Sequence, residues 1–385
     1  MDQKKETEAI WKKTLRCAVS AVSAVLCGIM IVFLLSSIFL GSSFGGLGKS
    51  IKVASYEIMS RFDIFITNTI STAMDGVLEM EKIYLLSDND QVAPEPNQQN
   101  FGSTTDEVFL KDLIEKASGH LDGQELFFNT ERQLLENTSV NYYLDDSIFA
   151  LTWKQPIQGV IYTFAEVKIQ HPTQFRRFLA DGVYGSDKQY LTSQMAASVN
   201  AVVASAGDFY KYRPNGLLVY HNQIERFNGT DLDSCFIDTN GDLLFSKAGE
   251  LQSEEELQEY IKKHNVRFSL CFGPVLIEDG KSCVPDRYPI GEISGNYSRS
   301  ALCQLGSLHY LLVTVNDEPG YPWFPTLYTF ADSLIALGIE KAYTLDGGQT
   351  ATIVMNDQVI NRVSYGAERY ISDIIYFATA IPDFE

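Results

Sequence analysis

The stretch Ala342 to Thr352, AYTLDGGQTAT, places Asp346 and two adjacent glycines at the end of a strand-like run and follows them with Gln349, Thr350 and Thr352. A tight Asp-Gly turn accounts for the aspartate and the first glycine. It does not account for the amide and hydroxyl groups crowded behind them, which suit a loop that grips a polar substrate. Four other segments repeat the pattern of polar groups beside an apolar run. The first passes from the apolar Ala201 to Ala206 into Gly207-Asp208, then Phe209, Tyr210, Arg213, an Asn215-Gly216 turn and Asn222. The second is Phe272-Gly273-Pro274, leading to an Asp-Gly turn. Arg299-Ser300-Ala301 with Gln304 opens the third, and Glu368-Arg369 lies in the fourth.

Several chemistries fail on spacing. Residues 41–50, GSSFGGLGKS, approach a phosphate-binding loop, but Ser43 stands where its first glycine belongs and no strand precedes it. Asp238, Asn240 and Asp242 have calcium-loop spacing, yet Leu243 occupies the glycine position and Gly249 the closing glutamate position, so an Asn-Gly hairpin is expected. Ser205 lacks the first glycine of a nucleophile elbow. No pair among the five histidines and no Cys-x-x-Cys presents metal-ligand spacing. The sequence therefore names no metal site, and no cofactor is expected. Cys235, Cys271, Cys283 and Cys303 fit either disulfides, in any of three pairings, or free buried thiols.

The chain of 385 residues is 45% hydrophobic and carries a net charge of −19. Residues 1–16 are net basic, so the remainder is more acidic still. Such a body excludes nucleic acid as a general partner, and an anionic substrate would need a local arginine or lysine against the global field. Residues 17–40 form a run of 24 without a charge. At ~1.5 Å per residue it is long enough to cross a ~30 Å hydrocarbon core. It is also longer than the ~7–15 residue core of a cleaved signal peptide. The basic cluster ahead of it places the N-terminus in the cytoplasm and all that follows outside. Residues 1–16 are thus expected as a cytoplasmic tail and 17–40 as a membrane helix. Residues 41–104 read as a helical stalk and linker. Met59, Phe62, Ile66, Ile70, Ala73, Val77, Met80 and Tyr84 recur at steps of three and four, a seam that either packs on its own domain or self-associates. Pro94 and Pro96 then mark a solvated linker.

From residue 105 to 385 an α+β domain is expected, a mixed β-sheet with flanking helices. Residues 144–153 and 159–169 are rich in β-branched and aromatic side chains and read as strands. Ser253 with Glu256 three residues later opens a helix. Leu327, Phe330, Leu334 and Leu337 space a second helix that stops at Gly338. Further strands are predicted at residues 309–316, 341–346, 351–356, 358–364 and, as a buried terminal strand, 371–380.

Together and in order, Gly207-Asp208-Phe209-Tyr210, Phe272-Gly273-Pro274, Arg299-Ser300-Ala301 with Gln304, Leu345-Asp346-Gly347-Gly348-Gln349-Thr350 and Glu368-Arg369 resemble the phosphodiester glycosidase family. The resemblance spans residues 159–380. Ala206 and Thr344 replace two asparagines of the family pattern, Thr350 keeps the hydroxyl of a serine, and Cys303 stands for a glycine. Cleavage of a sugar from a sugar–phosphate diester is what the resemblance implies. Carboxylates stabilise the oxocarbenium-like state of such a reaction, and Asp208 and Asp346 are the expected pair. Arg299 is the expected phosphate grip, since a guanidinium fork binds phosphate oxygens in pairs. Gly347 and Gly348 have no Cβ to keep backbone from phosphate. Gln304, Gln349 and Thr350 would orient sugar hydroxyls, with Arg213, Asn222 and Ser300 also lining the site. Structural roles compete at each position: a turn cap at Asp346, a buried ion pair at Arg299, a loop cap at Asp208, and an ion pair between Glu368 and Arg369.

The expected function is that of a membrane-anchored, extracytoplasmic glycosidase acting on phosphodiester-linked sugars of cell-wall or exopolysaccharide material. A non-catalytic carbohydrate-binding or scaffold protein on the same fold is the alternative from another class. A glycosyl transferase with an acceptor other than water is a third.

Overall fold

The computed structural model describes residues 92–118, 124–128, 139–229, 231–289 and 293–380. All fall within one unit, Lys82–Glu385. The tail, the run at 17–40 and the stalk seam lie outside the described residues. Among the described residues no helix is long and apolar enough to cross a membrane.

Nine strands form the main sheet. They are β1 (Phe101–Thr104), β2 (Val140–Leu144), β3 (Ile148–Ile157), β4 (Val160–Ile169), β12 (Val275–Glu278), β13 (Lys281–Ser282), β14 (Arg299–Gly306), β15 (His309–Val315) and β16 (Ala342–Leu345). Their order is β1-β2-β3-β4-β15-β14-β16-β12-β13, and every pairing is antiparallel. A five-stranded sheet holds β5 (Phe175–Leu179), β6 (Val203–Ala206), β17 (Ile353–Met355), β18 (Gln358–Val359) and β19 (Asp373–Phe377). A three-stranded sheet contains β9 (Ser234–Asp238), β10 (Leu243–Ser246) and β11 (Val266–Leu270), and β7 (Gly216–Tyr220) pairs with β8 (Gln223–Asn228). Among the described residues four α-helices accompany them: α1 (Glu107–Ser118), α2 (Thr192–Ser198), α3 (Glu254–His264) and α4 (Leu327–Ala336). The α+β expectation is met within the described residues.

The main sheet is covered on both faces, and the alternation of side chains along its strands says by what. Ala165, Val167 and Ile169 of β4 join Leu302, Leu345, Phe175, Ile353 and Phe377 in one core, which glues the main sheet to the smaller ones. Tyr162 and Phe164, of opposite parity, join Ala301, Cys303, Leu110, Leu327, Phe330 and Leu334 in a second core beneath α1 and α4. Every residue of β4 is buried, as expected for a central strand with two apolar faces. Trp153 is fully buried in the helix-side core and stacks on Phe164 at 5.1 Å between ring centres.

Helix signals act as the sequence suggests. The hydroxyl of Ser253 accepts from the N–H of Glu256 at 3.2 Å and starts α3. Thr326 does the same for α4, and Gly338 follows it at a positive φ of 90°. The sheet begins at Phe101, ahead of the expected domain start at 105, and Ala93 is buried. The last part of the expected linker therefore belongs to the folded domain. Asp238 accepts from the N–H groups of Asn240 and Asp242 at 2.8 Å each, which makes this segment a β9–β10 turn. All four described cysteines are free.

Candidate active site

The five polar segments meet at one end of the sheets. Backbone contacts tie them together. The N–H of Asp346 reaches the carbonyl of Gly207 at 3.4 Å, and that of Gly348 reaches Ser298 at 2.9 Å. The N–H of Cys271 donates to the Asp208 carboxylate at 2.6 Å. The N–H of Asp208 donates to both oxygens of Asp373, at 3.0 and 3.1 Å. Strand ends far apart in sequence thus share one rim, with Phe209 at its centre.

Three rings and two guanidinium groups build that centre. Phe209 stacks on Tyr212 at 4.5 Å. Arg213 lies over Phe209 at 5.0 Å and over Phe272 at 4.4 Å. Arg369 lies over Phe209 at 5.2 Å and Tyr212 at 5.1 Å. Cation–π contacts hold each guanidinium flat while leaving its N–H edge for an anion. Arg213 Nη1 is buried and has no hydrogen-bond partner among the described residues, an unfavourable state for a donor unless an acceptor meets it.

Asp346 stands at the end of β16, half-buried. Burial pushes its carboxyl up to about 6, against the pull of the Thr350 hydroxyl, Arg369 and Arg213, with Asp208 adding to the rise. Such a carboxyl can exchange a proton near neutral pH. The loop behind it needs its glycines for two different reasons. A Cβ on Gly347 would lie 2.5 Å from the Ser298 carbonyl oxygen, whereas Gly348 holds a φ of 65° with open space in front of it. Close approach demands the first glycine and the left-handed backbone favours the second. The Thr350 hydroxyl donates to the Gly347 carbonyl at 2.6 Å, and Gln349 Nε2 to that of Ala367 at 3.0 Å. Both brace the loop rather than face outward.

Several expectations are corrected here. Asp208 does not face an open cleft. Its carboxylate accepts from the N–H of Phe209 at 2.7 Å and of Cys271, and lies 3.6 Å from Arg177 with its side chain 1% exposed. Arg177 also meets Asp373, Nε to Oδ2 at 2.9 Å. Two carboxylates do share one guanidinium, but the guanidinium is Arg177 and the cluster is buried. Burial and the neighbouring Asp208 hold the Asp373 carboxyl above the ordinary range, while Arg177 pulls it down. Arg299, placed as the phosphate grip, donates instead to the carbonyls of Gly295 at 2.6 Å and Pro325 at 3.4 Å. It shares the parity of Ala301 and Cys303 in β14, whose side chains enter the helix-side core, and so turns away from Arg213. Ser300 is buried within β14. Gln304 accepts from the N–H of Leu243 at 2.9 Å and donates to Asp242 at 2.6 Å, bracing the β9–β10 turn. It sits five residues along β14 from Arg299, ~17 Å away at strand rise. Asn222 forms the β7–β8 turn with a φ of 62° and donates to the Val266 carbonyl at 2.8 Å, at the opposite end of β7 from Arg213. Glu368 turns from Arg369 to cap α2, accepting from the N–H and hydroxyl of Ser193 at 3.0 and 2.6 Å.

The residues that sequence reading missed are Arg177, Asp373 and the outward role of Arg369. A signal existed for the first two: FRRFL sets two arginines, Arg176 and Arg177, between apolar residues, and Asp373 opens the apolar run DIIYF. Buried charges require partners. Gly207 reports the same cluster, since a Cβ there would lie 2.4 Å from Asp373 Oδ2. Gly207→Ala is therefore expected to lower stability by ~1–3 kcal/mol. Urea midpoints would register the loss, and an unchanged midpoint would refute the close approach.

Residues 197–378 match the phosphodiester glycosidase family. No curated protein sequence matches. Among solved structures, the catalytic domain of zebrafish N-acetylglucosamine-1-phosphodiester alpha-N-acetylglucosaminidase, auto-inhibited by its pro-peptide, is similar with a TM-score of 0.47 and 14% identity, over 60% of this chain and 83% of that one. A hypothetical protein from Synechocystis gives 0.44 and 14%, over 63% and 64%. An exported protein from Burkholderia pseudomallei gives 0.40 and 12%, over 57% and 74%.

Proposed function

We propose, from the premise that residues 197–378 belong to the phosphodiester glycosidase family, that the protein hydrolyses a sugar from a sugar–phosphate diester at the Asp346 rim. The observation that carries this reading is one half-buried carboxyl tuned to about 6 beside Arg213 and Arg369. Water attacks the anomeric carbon as its bond to the phosphate oxygen breaks. The phosphate monoester leaves with the electron pair, and ionised Asp346 takes the proton from water. A phosphate leaving group needs little protonation, because a phosphomonoester has its second pKa near ~6. Cations matter more, and the paired guanidinium edges of Arg213 and Arg369 supply them. In this scheme Asp208 positions the Phe209 and Cys271 backbone from beneath. Thr350, Gln349, Gly347 and Gly348 shape the loop that carries Asp346.

The test is release of sugar from the methyl diester of N-acetylglucosamine 1-phosphate, chosen after the zebrafish relative's named substrate class. Since Asp346 acts ionised, kcat/KM should rise with pH and level off above a limb near 6. The limb should vanish in Asp346→Asn. A flat profile in the wild type would remove Asp346 from the proton transfer.

A non-catalytic glycan-binding protein is the second reading, favoured by the burial of Asp208, which leaves one accessible carboxylate where a glycosidase pair is the usual arrangement. We propose further that residues 17–40 anchor the chain in the cell membrane with the domain outside, that the stalk seam pairs with a second copy, and that the substrate is wall or exopolysaccharide material. The uncharged run and the heptad-like spacing support these readings.

A further inference from the structure

Three strands across the main sheet from Asp346 lies a cleft with a different chemistry. Its volume is about 230 Å³, and its lining includes Gln158, Tyr162, Asn296, Trp323, Thr326 and Thr329. Trp323 is 67% exposed, unusual for the largest apolar side chain. Its neighbours carry amide and hydroxyl groups, and among the described residues no charged one lines the cleft. A flat apolar ring beside uncharged hydrogen-bonding groups matches a sugar, which has an apolar C–H face and a polar rim of hydroxyls.

Register fixes where this cleft stands. Tyr162 pairs with Val315, and Val315 with Arg299. Ser300, next to Arg299 in β14, pairs with Leu345, the residue that precedes Asp346. Three strand spacings separate Tyr162 from Asp346, ~14 Å along one end of the sheet. Pro325, whose carbonyl holds Arg299, also lines the cleft. The volume is below the ~300–1,000 Å³ of pockets that enclose whole ligands, which suits one unit of a longer chain.

We infer that the Trp323 cleft is a second sugar subsite, binding a neutral unit of a glycan chain whose phosphodiester lies at Asp346. The inference rests on the proposed function and extends it: the substrate is a polymer, and the cleft selects it over a short diester.

The experiment compares wild type and Trp323→Ala on the methyl diester and on an oligomer in which the same sugar phosphate repeats. Trp323→Ala should raise KM for the oligomer roughly tenfold and leave KM for the methyl diester and both kcat values unchanged. Unchanged KM on both, or an equal rise on both, would overturn the subsite while leaving hydrolysis intact. Should the wild type cleave neither compound, hydrolysis fails on its own and calorimetric titration with the oligomer decides the subsite. Binding that weakens about tenfold in Trp323→Ala supports it. No binding, or equal binding by both proteins, overturns it.

Discussion

Asp346→Asn is expected to lower turnover of the methyl diester by ~10²–10⁴-fold, the range that positioned proton transfer contributes, without loss of stability. Asparagine keeps the shape and removes only the titrating charge. In the folded protein that carboxyl binds its proton more tightly than the ordinary aspartate at 3.8, being raised to about 6. Its ionisation therefore makes the fold less stable as pH rises through that window, because the folded state holds more protons there than the unfolded one. The neutral amide escapes this penalty, so the melting temperature of Asp346→Asn should equal or exceed that of the wild type above pH 6. Asp208→Asn should behave oppositely. An amide there turns a donor toward the Phe209 or Cys271 N–H groups, and stability falls by the ~1–3 kcal/mol of an unsatisfied buried group. Wild-type turnover in a folded Asp346→Asn protein would end the catalytic assignment.

Arg177→Met is expected to destabilise the domain by ~3–5 kcal/mol, as for removal of one partner from a buried pair. This is a large part of the ~5–15 kcal/mol that holds a domain. Arg177 is 4% exposed, and it lies between two buried carboxylates, at 2.8 Å from Asp373 and 3.6 Å from Asp208. Methionine fills the volume but leaves those carboxylates facing each other. Their repulsion is relieved only when one takes a proton, so the variant's stability should fall more steeply with rising pH than the wild type's. Urea midpoints at pH 5 and 8 would test this, with Arg177→Met/Asp373→Asn expected to recover part of the loss at the higher pH. Equal loss at both would show that volume, and not charge, is what Arg177 provides.

Much of the architecture was legible in the chain. β3, β4, β15, β16 and β19 fall where β-branched and aromatic runs predicted them, and α3 and α4 where Ser253 and Gly338 punctuate the pattern. Local propensity and capping decide such elements within a few residues of sequence. The predicted strand at 358–364 shrank to Gln358–Val359, because Asn361 turns inward, accepting from the N–H of Ile353 and donating to Ala351. The site was legible in part. Asp346, Arg213 and the two glycines meet at one rim, with Arg369 completing it. Arg299, Gln304 and Asn222 are held elsewhere by backbone partners.

By itself the sequence determined the strand-forming runs, the helix ends and the left-handed turn at Gly348, all consequences of neighbours along the chain, whereas the need for Gly347 comes from the Ser298 carbonyl packed against it. Only the tertiary structure decided which arginine meets which carboxylate. In a strand, side chains alternate between faces, so the face of Arg299 depends on which layer each side of β14 packs against. The helix layer claimed it, the buried Arg177 claimed Asp208, and Arg213 with Arg369 remained beside Asp346.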